Sequence, residues 1–153
     1  MPGLVISLRP EERFLVNGAL LKNGSKRSQI YIEDDDVYVL RLRDAIHPDN
    51  ADTPIKRVYF YVQTILSGDV KVKDGIDNLL KGLKDLAAVF SGTPLEKPLT
   101  RAIKGAENRR FYSVLYALKP LFEIEAEMLM PMNAALGAHV ADVSAEAPLA
   151  HAG

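Results

Sequence analysis

The sequence contains no cysteine, which removes disulfides, thiolate catalysis and Cys-ligated zinc at once. That absence fits a reducing compartment. Histidine is scarce: His139 and His151 lie in an Ala-rich C-terminal stretch, and His47 stands alone in a Pro-containing loop near Asp44 and Asp49. None has H-x-x-x-H or H-E-x-x-H spacing, so His47 reads as an exposed loop residue rather than a ligand. Neither G-x-x-x-x-G-K-[ST] nor G-x-G-x-x-G occurs, so no phosphate-cradling loop is expected, and G-x-S-x-G is missing too. No stretch approaches the ~18 apolar residues of a membrane span, and "MPGLVISLRPEER" lacks a positively charged signal-peptide start. A cytoplasmic chain with no cofactor, no metal and no membrane contact is expected. The formal net charge of -1 excludes a wholesale nucleic-acid coat but leaves room for a local basic patch.

What is present fits one α+β domain. The 153 residues can bury a sizeable core. "LVISL" (Leu4 to Leu8), "RFLVN", "ALLK", "SQIYIED" and "DVYVLRL" read as short strands separated by turns. Asn17-Gly18 suits a two-residue type I′ hairpin turn, and Asn23-Gly24 is a second turn signal. Asp34-Asp35-Asp36 is placed at the tip of a further hairpin, with Val37, Val39 and Arg41 alternating with Tyr38, Leu40 and Leu42 as in a strand with one wetter face. The expected arrangement is a small N-terminal antiparallel β-sheet, a meander of short strands over about residues 4–46. Three or four helices follow over 53–130.

Asp52 or Thr53 caps the first helix, with Pro54 in its first turn and Ile55, Val58, Tyr59, Val62 and Leu66 on one face. A second helix from about Asp74 carries Leu79, Leu83, Leu86 and Phe90 and stops at Gly92. "TPLEKPLTRAIKGAE" forms a short third helix. In a long last helix Phe111, Val114, Leu115, Leu118 and Phe122 face inward, and Pro120 kinks or breaks it. Residues 131–153 read as a flexible tail outside a single domain over 1–130.

The catalytic inventory is thin. "EDDDVYVLRLRD" lacks the alternating ligands of a calcium loop. Glu123, Glu125 and Glu127 fall on a helix without an identifiable acid–base partner. An enzyme is not expected. Basic residues carry more: Arg9, Arg13, Lys22, Lys26 and Arg27 come from adjacent strands and turns, and Lys56-Arg57 stand beside Tyr59, Phe60 and Tyr61. These seven are the candidate nucleic-acid contacts, since Arg and Lys bind phosphates and exposed aromatics stack on unpaired bases. An ordinary charged surface is the competing reading.

The order of segments adds a resemblance. "SLRPEERFLVNGALLKNGSKRSQIYIE", then "VLRLRDAI", then "ADTPIKRVYFYVQ" resembles the FlbT family of flagellar biosynthesis regulators. The likeness runs through L-K/R-P-x-E-R-F, N-G-A, N-G-x-x-R, I-E, R-x-R-D and T-P-x-x-R-x-Y-F. Arg9, Arg13 and Arg27 fall on those motif positions. The chain departs from the pattern at "EDDD" and in the lengthened spacing of "RLRDAI". The resemblance implies a post-transcriptional regulator that binds the 5′ untranslated region of flagellin mRNA, with the small flagellar protein FlaF as a companion. A rival reading is a flagellin-binding, chaperone-like protein. There Leu79, Leu83, Leu86 and Phe90, or Leu115, Leu118 and Phe122, form a groove for a partner helix instead of an internal core. Free strand edges would allow a homodimer.

Overall fold

The computed structural model describes residues 4–34 and 36–130. Five strands come first: β1 (Leu4–Leu8), β2 (Arg13–Val16), β3 (Ala19–Lys22), β4 (Ser28–Ile32) and β5 (Val39–Arg41). Helices α1 (Pro54–Leu66), α2 (Val72–Val89), α3 (Glu96–Glu107) and α4 (Phe111–Leu118) follow, and α5 covers residues 121–130. The α+β layout is as expected.

Strand pairing departs from a sequential meander. β1 pairs antiparallel with β4, while β2 lies between β3 and β5 in a second sheet. The acidic run is therefore a crossover from one sheet to the other, not a hairpin tip. Burial explains the choice. Ile6 and Leu8 of β1 meet Phe14 of β2, Val39 of β5 and Tyr112 of α4 in a small core, with Ile30 and Ile32 packed against it. Pairing β4 with β5 would give up that face-to-face packing. Each fully buried Leu or Ile contributes about 1.5–3 kcal/mol, and isolated hairpins are marginal without such a face. The β2–β3 hairpin turns as its sequence predicts, with Asn17 at φ 48° and Gly18 at φ 85°, the left-handed pair of a type I′ turn.

Strand β5 is shorter than expected and has no wet face: Val39, Leu40 and Arg41 are all buried. One side of it packs on the small core and the other on the helical core.

The helices enclose the main core around Tyr59, Leu79, Leu83, Leu99, Phe111 and Leu118. Tyr59 meets Phe122 edge to face at 4.8 Å. Thr53 caps α1 by accepting from the Lys56 amide at 3.2 Å. The long last helix expected from the sequence is two helices. Pro120 has no amide hydrogen to donate and its ring crowds the preceding turn, so α4 ends at Leu118 and helix resumes at 121. That break swings Leu121 into the core and brings Glu125 beneath the start of α1, where its carboxylate accepts from the Ile55 amide at 3.0 Å. The expected tail, 131–153, lies outside the described residues.

Candidate nucleic-acid interface

Strand register and the loop contacts of Asn23 together gather five of the seven candidate cations. Arg13 faces Lys22 in the first pair of the β2–β3 hairpin. Arg9 directly follows Leu8 and Arg27 directly precedes Ser28, and Leu8 pairs with Ser28 at the end of the β1–β4 ladder. Arg9, Arg13, Lys22, Lys26 and Arg27 thus share one end of the β unit.

Asn23 holds that end together. Its side-chain amide donates to the carbonyls of Arg9 at 2.7 Å and Lys26 at 2.9 Å, and its oxygen accepts from the Ser28 hydroxyl at 2.8 Å. Backbone bonds from Glu11 to Gly24 and from Asn23 to Glu12, both 2.8 Å, fasten the same two loops. The second Asn-Gly is therefore a staple between loops rather than a left-handed hairpin turn; among the described residues neither Asn23 nor Gly24 has positive φ.

The carboxylates at this end are already engaged. Glu11 pairs with Lys22 at 3.1 Å. Glu12 pairs with Arg43 at 2.8 Å and also accepts from the Arg9 amide. Arg9, Arg13, Lys26 and Arg27 are exposed and have no ion-pair partner among the described residues. Their charge is offered to solvent.

Lys56 and Arg57 stand apart. Lys56 sits 4.0 Å from Asp52 and 5.7 Å from the centre of the Phe122 ring. Arg57 is exposed on α1. Among the described residues no hydrogen bond or ion pair ties either to the hairpin end. Tyr59 and Tyr61, their aromatic neighbours, are buried and half-buried, so neither is open to a base.

The charges that sequence reasoning misses are the buried ones. Asp44 sits in a one-turn 3-10 helix after β5. Its carboxylate accepts from Arg41 at 2.8 Å and Lys119 at 2.6 Å, and from the Tyr112 hydroxyl at 3.4 Å. Its carbonyl accepts from the Tyr59 hydroxyl at 2.5 Å. Arg41 and Arg43 both donate to the Ser7 carbonyl on the outer edge of β1, at 3.0 and 3.2 Å. The R-x-R-D segment is thus the joint that fixes the sheets to α1 and α4. Burial opposes ionisation of Asp44, but the hydrogen bonds from Lys119 and Arg41 outweigh it and hold the carboxyl below its usual range. Burial, followed by the charge of Asp44, pushes the Tyr59 and Tyr112 hydroxyls far above theirs. Both carboxylate oxygens are occupied by protein donors, so the cluster is built to hold rather than to exchange protons. The sequence signal is Arg41 and Asp44 at i,i+3, the spacing that closes an ion pair across one turn.

His47 is exposed and caps the Pro48–Asn50 turn by accepting from the Asp49 amide at 3.1 Å. Among the described residues no helix is long and apolar enough to cross a membrane.

Comparison with known proteins places the chain in a family. Residues 4–129 match the family model described as flagellar protein FlbT. The chain belongs to the FlbT family. The match spans both the strands and the helices, so the hairpin end and the Asp44 joint lie within the FlbT unit. The flagellum biosynthesis repressor protein FlbT of Caulobacter vibrioides (strain ATCC 19089 / CIP 103742 / CB 15) is 27% identical over 135 residues, covering 88% of this chain and 95% of its own. A probable flagellum biosynthesis repressor protein FlbT of Chelativorans sp. (strain BNC1) is 30% identical over 128 residues, covering 81% and 84%. One of the same description from Rhodopseudomonas palustris (strain TIE-1) is 30% identical, covering 82% and 97%. No solved structure matches the chain. The FlbT relatives' names are those of regulators of flagellum synthesis rather than of enzymes.

Proposed function

We propose that this FlbT chain is a cytoplasmic post-transcriptional regulator of flagellin synthesis. It acts as a repressor by binding the 5′ untranslated region of flagellin mRNA and limiting its translation or lifetime. The observation that carries the reading is the convergence of Arg9, Arg13, Lys26 and Arg27, unpaired among the described residues, on one Asn23-stapled end of the β unit. Cations so placed meet successive phosphates and gain free energy by releasing condensed counterions. The repressor names of the relatives support the direction of control. FlaF and flagellin are the protein partners in this proposal, and a second copy would pair along the outer edge of β3, unpaired among the described residues, where Leu20 and Leu21 are exposed.

The chaperone-like alternative loses the groove it was built on. Leu79, Leu83, Leu86, Phe90, Leu115 and Leu118 are buried inside the chain and Phe122 packs half-buried against the same core, so a partner helix cannot reach the buried ones without unfolding it.

Fluorescence anisotropy with a labelled flagellin leader at low salt tests the proposal. Saturable binding that weakens steeply with added salt is expected. No binding at low salt, together with stoichiometric capture of flagellin in the absence of RNA, would sink it.

A further inference from the structure

A second set of cations lies on the helical side. Arg101 and Lys104 stand at i and i+3 on the exposed face of α3, with Asn108 just past its end in line with them, opposite the buried Leu99, Ala102 and Ala106. The chain leaves α3 through a tight reversal. Arg109 donates its amide to the Ala106 carbonyl at 3.0 Å, and Arg110 donates to Gly105 at 2.8 Å. This is the Schellman pattern, in which the residue at the Arg109 position is left-handed and usually glycine. Arg109 occupies it with φ 58°. An arginine is held where glycine is the low-energy choice, and strained non-glycine positions of this kind concentrate at binding sites. Beside it α3 and α4 nearly touch: a Cβ on Gly105 would lie 3.2 Å from the Val114 methyl.

The reversal brings Arg101, Lys104, Arg109 and Arg110 to the wall of a cleft of about 800 Å³, facing Asp34 and Asp36 of the crossover. None of the six has an ion-pair partner among the described residues, and positive charge exceeds negative. The cleft runs into a second groove of about 520 Å³; Leu4, Arg101, Tyr112 and Ser113 line both. Among the described residues no carboxylate lines that groove. Tyr116 stands in it, 66% exposed, one face stacked on Tyr112 with ring centres 5.9 Å apart. Guanidinium groups leading to an open aromatic ring are what single-stranded nucleic acids need: phosphates on the cations, a base on the ring.

Resting on the RNA-binding function proposed above, we propose that this cleft and groove form a second contact path for single-stranded RNA. Arg101, Lys104, Arg109 and Arg110 hold phosphates there, and Tyr116 stacks on a base. Asp34 and Asp36 accept from ribose hydroxyls or base amino groups, donors that a purely anionic partner lacks.

The test measures affinity of the full chain for a labelled single-stranded flagellin leader segment across a salt series. R101Q/K104Q should weaken binding about tenfold and make the log–log salt slope shallower by about 1.4, the share of two single-strand phosphate contacts. Y116A should weaken it about tenfold with the slope unchanged, because stacking releases no counterions. R109G should raise the melting temperature by about 3 °C while lowering affinity, a combination that a purely structural arginine would not give. If wild type binds, and R13Q/K26Q weakens binding while the R101Q/K104Q and Y116A variants match wild type, the path is overturned and the hairpin-end reading survives. Absence of any RNA binding by wild type overturns both. Displacement of bound RNA from wild type by polyglutamate as effective as by unlabelled RNA would also overturn the path, marking it as a site for acidic peptides.

Discussion

The Lys119 ammonium lies 2.6 Å from the Asp44 carboxylate, joining the residue after α4 to the turn that leaves β5. With Arg41 on the other oxygen, Asp44 is the point through which the strands and the helices hold one another. Removing one member of a buried charge cluster leaves its partners uncompensated. Asp44→Asn should therefore destabilise the fold by about 3–5 kcal/mol in urea denaturation at neutral pH. An effect under ~1 kcal/mol would show that the joint lies elsewhere.

The same cluster makes stability depend on acid. The folded-state pKa of Asp44 is depressed, so its contribution is complete above the unfolded value of about 3.9 and is lost as pH falls through the folded value. Wild type and Asp44→Asn should thus differ most near neutrality and converge in strong acid. Parallel stability curves down to low pH would contradict the assignment.

Asn23 offers a separate test of how the cations are positioned. Asn23→Ala deletes three side-chain hydrogen bonds that tie Arg9, Lys26 and Ser28 together. A loss of about 1–3 kcal/mol is expected, with weaker RNA binding although no charge has changed. Full RNA affinity in a destabilised Asn23→Ala protein would detach the staple from the interface.

Gly18→Ala supplies the contrast. Gly18 holds φ 85° at the opposite end of the β2–β3 hairpin from Arg13 and Lys22. A side chain there should cost about 1–2 kcal/mol of stability through left-handed strain. RNA affinity below the unfolding range should not change.

Much of the fold is readable from the chain because it depends on neighbours in sequence. β1, β2, β3 and β4 follow short apolar runs bounded by turn residues, α1 follows Thr53 and Pro54, and the break after α4 follows Pro120. Sheet pairing is not readable, because β1 chooses β4 through a shared core with Phe14, Val39 and Tyr112, and strand propensity carries no trace of that choice. Arg41, in a short strand, gives no sign in the sequence that it is buried. It is buried because Asp44 and the Ser7 carbonyl satisfy it, and the lysine completing that cluster lies 75 residues beyond Asp44. Arg9, Arg13, Lys22, Lys26 and Arg27 are close in sequence, but their convergence depends on the Asn23 staple between loops. Lys56 and Arg57 share only their charge with that group. Arg109 and Arg110 give no signal in the chain, because a left-handed arginine has no sequence signature.

In the proposed function the hairpin-end cations meet RNA phosphates, and the salt slope of leader binding reads that contact. Wild type should bind the flagellin leader with a steep negative dependence of log affinity on log salt. Replacing Arg9, Arg13, Lys26 and Arg27 by Gln should flatten that dependence by up to about 0.7 for each phosphate no longer neutralised. An unchanged slope in the fourfold variant would show that these cations do not meet RNA.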